Sequence, residues 1–264
     1  MRPLLNTAVT AARKAGALIA RAVDRLDTLK VDTKAPNDFV SEIDIKAERI
    51  IVETLQRAYP GHAILAEESG SRGRDEYQWI IDPLDGTTNF LHGFPQFAVS
   101  IALKYRGNIE VGVIYDPLRQ ELFTALRGSS AQRDGRRIRV TKARTLEGTL
   151  LGTGFPFRDQ SHLDAYLAMF KTFLPQTAGI RRAGSAALDL AYVAAGRLDG
   201  FWEIGLKPWD MAAGVLLVQE AGGYVGDLRG GERYLDSGHL VAGSPKVYEA
   251  MLKAIAPHLT TELH

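Results

Sequence analysis

The order of helical and extended segments along the chain is the feature that most constrains its fold. Apolar residues recur every three or four positions in residues 4–26 and 41–59, which predicts two amphipathic helices, the second with Ser41 as its N-cap. Short strands are predicted next, at residues 63–66, 78–82, 98–105, 109–115 and 121–125. After residue 148 short strands alternate with helices predicted at residues 161–173, 185–195, 209–221 and 246–255. Such interleaving predicts layered sheets with helices packed between and outside them.

Composition excludes several classes of protein. The chain has no cysteine, so disulfides, zinc thiolates, iron–sulfur clusters and thiol nucleophiles are all excluded. Its 32 basic and 31 acidic residues nearly cancel, and this balance does not make the whole chain a nucleic-acid binder. No apolar run approaches the ~18–20 residues of a membrane span. Residues 1–6 lack the apolar block of a signal peptide, so we expect a cytoplasmic protein that does not engage a membrane.

Three features lie between the predicted elements. The polar stretch at residues 30–38 is typical of an exposed loop, and Asp134-Gly135 is a hairpin turn signal. A boundary near residues 145–148 would divide the chain into an N-terminal half, 1–147, and a C-terminal half, 148–264. We expect the two halves to share one site.

The most informative segment is an apolar strand that ends in two carboxylates. Asp82 and Asp85 stand three residues apart, with the Leu84 carbonyl between them, and residues 86–88 read Gly-Thr-Thr. Two neighbouring carboxylates raise each other's pKa unless a cation lies between them, and oxygen ligands without histidine or thiolate favour Mg²⁺ over Zn²⁺. The N–H groups of a turn or helix opening at residue 86 can hold a phosphate. The arrangement suits metal-assisted phosphate chemistry, whereas an isolated pair of this spacing is more often a helix cap and a solvated turn.

Two further acidic segments support the metal interpretation. Glu67 and Glu68 follow the strand predicted at residues 63–66, and Asp210 opens a predicted helix after Trp209. Alone, the first would be a solvated loop and the second a helix cap. Combined with the paired aspartates, they indicate a carboxylate-rich metal site.

With these motifs the chain resembles the inositol monophosphatase family of Mg²⁺-dependent, lithium-sensitive phosphatases. Residues 79–90 fill the family pattern W-[IV]-[IV]-D-P-[IL]-D-G-T-x-N-F, and residues 209–214 fill W-D-x-A-A-G. Residues 67–69 match its upstream acidic motif and residues 184–189 its substrate-side turn, while residues 181–191 are most similar to the bacterial SuhB-type branch. The resemblance is nearly full length. It implies an α+β fold of the layered α-β-α-β-α sandwich type, and usually a homodimer.

The resemblance also implies two to three Mg²⁺ ions in the site. Glu67, Asp82 and the Leu84 carbonyl would hold the first ion, and Asp82 would bridge to a second held by Asp85 and Asp210. A third, weaker ion would depend on Glu67 and water. A mobile metal-binding loop corresponds to residues 30–37, where either Lys30 or Lys34 would be its lysine.

The catalytic residues implied are Asp44, Thr87 and Glu67. Asp44 and Thr87 would orient and deprotonate the attacking water. The N–H groups of Gly86 and Thr87 would stabilise charge on the phosphoryl oxygens. Attack would be in line and would need no covalent intermediate.

The reaction implied is hydrolysis of myo-inositol monophosphates to myo-inositol and phosphate. The substrate-binding residues implied are Asp85, Gly86, Thr87, Arg181, Gly184, Ser185, Ala186, Glu203 and Asp210. Glu203 would accept hydrogen bonds from inositol hydroxyls, although it could also be a surface acid on an edge strand. Arg181 could equally be an arginine of a dimer interface. Other sugar or nucleotide phosphates remain alternative substrates.

A basic stretch at residues 127–144 suggests a second hypothesis. It has seven basic residues against the single acid Asp134. It could be a solvated hairpin or a docking surface for protein or RNA. Members of the branch that the chain resembles join a ribosomal-RNA antitermination complex with Nus factors and RNA polymerase, so a role as such an accessory factor is the alternative function.

Overall fold

Two N-terminal helices form the first layer of the fold in a computed structural model that describes residues 1–35, 38–156, 160–261 and 263. Helix α1 spans Arg2–Ala22 and helix α2 spans Glu42–Ala58. The first ends earlier than its apolar pattern predicts, because Val23–Thr28 form a 3₁₀ helix. The predicted cap of the second is confirmed: the Ser41 hydroxyl accepts the Ile43 N–H at 3.2 Å.

The exposed loop predicted at residues 30–38 is wrong in part. Strands β1 (Val31–Ala35) and β2 (Asp38–Ser41) pair antiparallel there, and Asp32 lies opposite Val40 in the register. The Glu42 N–H also donates to the Lys30 carbonyl at 3.0 Å, which ties the hairpin to the start of α2. Residues 36 and 37, which complete the predicted metal-binding loop, lie outside the described residues.

An eight-stranded sheet forms the second layer. Its strands are β3 (Ala63–Ala66), β4 (Gly70–Arg72), β5 (Tyr77–Asp85), β6 (Ala98–Tyr105), β7 (Asn108–Asp116), β8 (Glu121–Leu126), β9 (Gln132–Arg133) and β10 (Arg136–Arg137), and a short helix, α3 (Thr87–Leu91), follows β5. The spatial order is β10-β9-β8-β7-β6-β5-β3-β4, and among the described strands of this sheet only the pair β3 and β5 is parallel. The Asp134-Gly135 hairpin is confirmed, with positive φ angles of 50° and 76° at its two turn residues.

The second half of the chain builds the remaining layers. Its elements are β11 (Leu150–Thr153), α4 (Leu163–Phe173), β12 (Gly179–Arg181), α5 (Ala186–Ala194), β13 (Gly200–Glu203), α6 (Pro208–Glu220), β14 (Tyr224–Gly226), α7 (Tyr234–Ser237), β15 (Leu240–Gly243) and α8 (Pro245–Ile255). A five-stranded sheet has the order β12-β11-β13-β15-β14. Helices α5 and α6 lie between the two sheets, and α4 and α8 cover the outer face of the smaller sheet.

Three apolar cores hold the five layers together, one at each helical layer. Helix α6 is apolar nearly all round because it is buried between sheets. Its backbone comes close to β7 at Gly112, where a Cβ atom would lie 2.8 Å from the Ala213 carbonyl oxygen. The layered α-β-α-β-α sandwich is therefore confirmed.

The two halves share the central layer of the fold. The eight-stranded sheet lies within residues 63–137 and the five-stranded sheet within residues 150–243, yet α6 packs on β6 and β7. The boundary near residue 147 stays a prediction. Across the described residues, no helix has both the length and the apolar character needed to span a membrane.

Candidate active-site cleft

A cleft of about 500 Å³ lies where the two halves meet. It is lined by the end of β5, by the loops that lead into α3, α5 and α6, and by the end of β13. Ends of strands and first turns of helices place polar groups where backbone hydrogen bonding stops, which is why side chains far apart in sequence meet here. The cleft contains most of the predicted site residues.

Three carboxylates form the acidic centre of the cleft. Asp82, Asp85 and Asp210 each offer a carboxylate oxygen, and these oxygens lie within 4.8 Å of one another. Asp82 and Asp85 come from β5, and Asp210 comes from the first turn of α6. Glu67, which follows β3, lines the same cleft. The structure thus brings together the four acidic side chains that the sequence predicts as metal ligands.

The acidic centre is electrostatically unfavourable without a cation. Burial raises the pKa of Asp82 well above its ordinary value, and the charges of Glu67, Asp85 and Asp210 raise it further. Burial also raises the pKa of Asp85 to about 6, against hydrogen bonds from Ser185 and Ala187 that lower it. Bound divalent cations would offset this repulsion and keep the carboxylates ionised. The donor set, which is all oxygen, fits a hard ion such as Mg²⁺.

Backbone and hydroxyl groups fix each carboxylate of the centre. Asp82 accepts the Leu84 N–H at 2.9 Å, and Asp210 accepts the Lys207 N–H at 2.7 Å. Asp85 accepts the Ser185 hydroxyl at 2.5 Å and an N–H of α5 at 2.8 Å. These bonds orient the carboxylates before any ligand arrives.

Thr87 and Asp44 form a hydrogen-bonded pair beside the acidic centre. The Thr87 hydroxyl donates to Asp44 Oδ1 at 2.9 Å and lies 3.0 Å from the Leu84 carbonyl oxygen. Because the hydroxyl has one proton, it serves one of these acceptors at a time. Asp44 lies behind Thr87, fully buried, and its other oxygen accepts the N–H and the hydroxyl of Ser41. Burial raises the pKa of Asp44, which favours proton uptake by this group.

Gly86 makes the turn between β5 and α3. Its φ angle is 95°, and a Cβ atom there would lie 2.8 Å from the Gln96 carbonyl oxygen, so both backbone conformation and space require glycine. The turn places Gly86 and Thr87 in the cleft lining at the start of α3. Their assignment to the phosphoryl oxygens stays a prediction.

The structure places some of the predicted substrate-binding residues in the cleft lining and one outside it. Gly184, Ser185, Ala186 and Glu203 line the cleft. Arg181 is exposed and is not among the lining residues, and its guanidinium donates to the carbonyl of the adjacent Ile180.

Sequence reasoning did not assign several residues that line the far side of the cleft. Arg182 lines it in place of Arg181, with its guanidinium 5.3 Å from the Phe155 ring centre. His162 and His239 also line it, with their rings edge to face at 5.6 Å. Burial lowers the pKa of His239, which favours the neutral form of its imidazole.

Asp189 is a cleft residue to which the sequence analysis gave no role, although the sequence around it indicates one. It is 2% exposed, it lines the cleft, and burial raises its pKa well above the ordinary value. It lies within α5, whose other residues are alanine, leucine, valine and tyrosine. A carboxylate in such an apolar helix is costly to bury, and this cost indicates a functional position.

Comparisons with known proteins identify the family of the chain. A model of the inositol monophosphatase family matches residues 1–261. The protein named Nus factor SuhB from Pseudomonas aeruginosa is 58% identical over 270 residues, which cover 100% of this chain and 99% of that protein.

Solved structures show the same fold. The extragenic suppressor protein suhB from Bartonella henselae aligns with a TM-score of 0.93 at 47% identity, covering 96% of this chain and 98% of that one. An inositol monophosphatase from Anabaena (Nostoc) sp. PCC 7120 aligns with a TM-score of 0.87 at 40% identity, covering 97% and 96%. Because the family model and these relatives each span nearly the whole chain, the chain belongs to the inositol monophosphatase family.

Proposed function

We propose that the protein is a Mg²⁺-dependent phosphatase that hydrolyses myo-inositol monophosphates to myo-inositol and inorganic phosphate. The observation that carries the proposal is the juxtaposition, in one cleft, of the Asp82–Asp85–Asp210 centre with the Thr87–Asp44 pair. Family membership and the relative named inositol monophosphatase support it. Other sugar or nucleotide phosphates are the alternative substrates within the same chemistry.

The acidic centre would hold two to three Mg²⁺ ions. Glu67, Asp82 and the Leu84 carbonyl are assigned to the first, and Asp82, Asp85 and Asp210 to the second. Bound Mg²⁺ supplies Lewis acidity that lowers the pKa of water and neutralises the charge of the phosphate ester.

The protein's own groups would position and deprotonate water. Thr87 Oγ accepts a proton from water while its own proton passes to Asp44 Oδ1, 2.9 Å away. The N–H groups of Gly86 and Thr87 donate to the phosphoryl oxygens. Ser185, Ala186 and Glu203 contact the alcohol part of the substrate from the second half of the chain. Because water itself is the nucleophile that attacks phosphorus in line, no covalent intermediate is required.

The test is phosphate release from inositol 1-phosphate, with and without Mg²⁺, by the wild type and by Asp82→Asn. We expect Mg²⁺-dependent turnover that falls by at least roughly a thousandfold in the variant. Asp24→Asn, an exposed carboxylate outside the cleft lining, is the matched control and retains wild-type turnover. Turnover that is independent of Mg²⁺, or that survives in Asp82→Asn, contradicts the proposal.

A second function, in transcription antitermination, is favoured by the names of relatives and by the basic stretch. Arg136, Arg137 and Arg139 are exposed on and beside the edge strand β10. We propose that this cytoplasmic role involves Nus factors and RNA polymerase, with the basic stretch as a docking surface. Charge reversal at Arg136 and Arg137 should weaken such binding, whereas Asp82→Asn should leave it intact; unchanged affinity in the reversed variant counts against the surface.

We also propose that the protein is a homodimer, as the family resemblance implies. Sedimentation velocity at micromolar concentration tests this directly. A single species of monomer mass, about 29 kDa, contradicts it.

A further inference from the structure

We propose that Gly154 determines substrate specificity by leaving the space that the Glu203 carboxylate occupies, so that this carboxylate faces the cleft and selects polyhydroxylated phosphate monoesters. The substrate part of this inference rests on the proposed function, whereas the positioning part does not. Gly154 follows β11, and Glu203 is the last residue of β13.

The geometry of the two strand ends leaves no room for a side chain at residue 154. Strands β11 and β13 run parallel, with Thr153 opposite Trp202 in the register. A Cβ atom built on Gly154 would lie 1.9 Å from Glu203 Oε1 and 2.0 Å from its carboxyl carbon, which is far inside van der Waals contact. Gly154 does not have a positive φ angle. Glycine is therefore required at residue 154 because a side chain there would overlap the Glu203 carboxylate, and the backbone conformation does not require it.

The backbone beside Gly154 is held firmly. The Thr153 hydroxyl lies 3.0 Å from the Tyr166 hydroxyl, and both side chains are fully buried. The Tyr166 ring stacks on Trp202 at 6.1 Å between ring centres and meets Phe155 edge to face at 5.8 Å. A methyl group at residue 154 would therefore displace the mobile end of Glu203, because the packed backbone is the stiffer partner.

The position of Glu203 matters because of what surrounds it. Both Glu203 and Asp189 line the cleft. Burial is the main cause that raises the pKa of Asp189 and of Tyr166. The charge of Glu203 raises both pKa values further, and the charge of Arg182 lowers them. A carboxylate in this place accepts hydrogen bonds from hydroxyl groups and repels a second anionic group. It therefore favours a phosphate ester whose alcohol is a neutral polyol. An aryl phosphate without hydroxyl groups gains nothing from it.

The experiment compares Gly154→Ala with Gly61→Ala on two substrates, inositol 1-phosphate and p-nitrophenyl phosphate. A Cβ atom at Gly61 meets nothing within 4 Å and its φ angle is not positive, so Gly61→Ala is the matched control. In Gly154→Ala we expect kcat/KM for inositol 1-phosphate to fall roughly ten- to hundredfold, the loss of a hydrogen bond to a charged group, with most of the change in KM. The value for p-nitrophenyl phosphate should stay within about twofold. Equal losses on both substrates overturn the specificity assignment.

The Glu203→Ala background separates a local effect on Glu203 from general damage. There Gly154→Ala should cause no further loss on inositol 1-phosphate, since the displaced carboxylate is already absent. An undiminished tenfold effect in that background overturns the proposal.

A crystal structure of Gly154→Ala gives a readout that does not depend on turnover. It should show the Glu203 carboxylate in a different rotamer with the β11 backbone in place. A Glu203 carboxylate that has not moved overturns the positioning claim, whether or not the wild type is active. The proposed function fails by a different result, namely that the wild type hydrolyses neither substrate.

Discussion

The Asp85 carboxylate accepts the hydroxyl of Ser185 at 2.5 Å, a hydrogen bond that joins residues one hundred positions apart. Asp85 ends β5 in the first half, and Ser185 is the N-cap of α5 in the second half. The same carboxylate oxygen accepts the Ala187 N–H, so it also caps a helix whose N-terminus favours negative charge. One side chain thus belongs both to the acidic centre and to the contact between the halves.

The first prediction concerns Ser185→Ala. The Ser185 hydroxyl lowers the pKa of Asp85, so its removal raises that pKa above about 6 and lets protons compete with Mg²⁺ more strongly. We expect Mg²⁺ affinity to fall about tenfold at pH 7, a typical effect of removing a group that orients a metal ligand, and further at pH 6. Calorimetric titration with Mg²⁺ at both pH values measures this.

The control for Ser185→Ala is Ser129→Ala, an exposed serine in the turn after β8. It should bind Mg²⁺ as the wild type does at both pH values. If Ser185→Ala shows the same affinity and pH dependence as this control, the hydrogen bond has no part in preparing the centre.

A second prediction follows from the raised pKa of Asp82. Folding raises the pKa of Asp82 above its value in the unfolded chain, which is near 4. Such an acid lowers the free energy of unfolding at pH values above the unfolded pKa, and this destabilisation grows as the pH rises toward the folded pKa. Without metal, Asp82→Asn should therefore be more stable than the wild type at pH 7, by about 1–3 kcal/mol, and this difference should shrink as pH falls toward 4. Urea unfolding in EDTA at pH 4.5 and 7 tests the sign.

Mg²⁺ should reverse that order of stability. The proposed cations would bind the folded wild type and not the unfolded chain, so saturating Mg²⁺ should raise the Tm of the wild type by several degrees, while Asp82→Asn should gain little. A variant that is less stable than the wild type in EDTA at pH 7 would show that the acidic centre is not strained without metal.

The third prediction tests the Thr87–Asp44 pair. Removing the hydroxyl in Thr87→Val leaves the side-chain volume nearly unchanged and should lower kcat about 10²–10⁴-fold, the usual range for loss of acid–base help. Thr87→Ser should recover most of the activity, since it restores the hydroxyl. Steady-state kinetics at saturating Mg²⁺ measure both variants.

A double variant shows whether the two residues act as a unit. If Thr87 passes its proton to Asp44, then Thr87→Val combined with Asp44→Asn should be hardly slower than the worse single variant. Losses that multiply would mean that the two residues act independently.

The candidate site was predictable from sequence where its residues are neighbours along the chain. Asp82, Leu84, Asp85 and Gly86 stand within five residues, so one strand end and one turn carry both the ligands and their geometry. Ser41 was likewise recognisable as an N-cap, because a helix start has a local signature, whereas Asp44 followed only from the family resemblance.

Other parts of the molecule were not predictable because they depend on contacts between distant segments. Strand β1 is short and mostly polar, so its sequence resembles a loop, and it is extended because it pairs with β2 in front of α2. The choice of Arg182 over Arg181 in the cleft lining depends on the backbone direction after β12, which spacing does not reveal. The space at Gly154 depends on the parallel pairing of two strands fifty residues apart.

The last prediction concerns the packing between the halves at Gly112. A methyl group there would lie 2.8 Å from the Ala213 carbonyl oxygen and 3.3 Å from its Cα, and these are backbone atoms of a buried helix that cannot turn aside. Gly112→Ala should therefore destabilise the fold by about 1–3 kcal/mol, the range for overpacking a core. Since α6 also carries Asp210, a small shift of this helix should weaken Mg²⁺ binding as well. Urea unfolding measures the loss of stability and Mg²⁺ titration measures the loss of affinity, each with Gly61→Ala as the control. If Gly112→Ala has wild-type values in both measurements, α6 does not pack on β7 as closely as this contact requires.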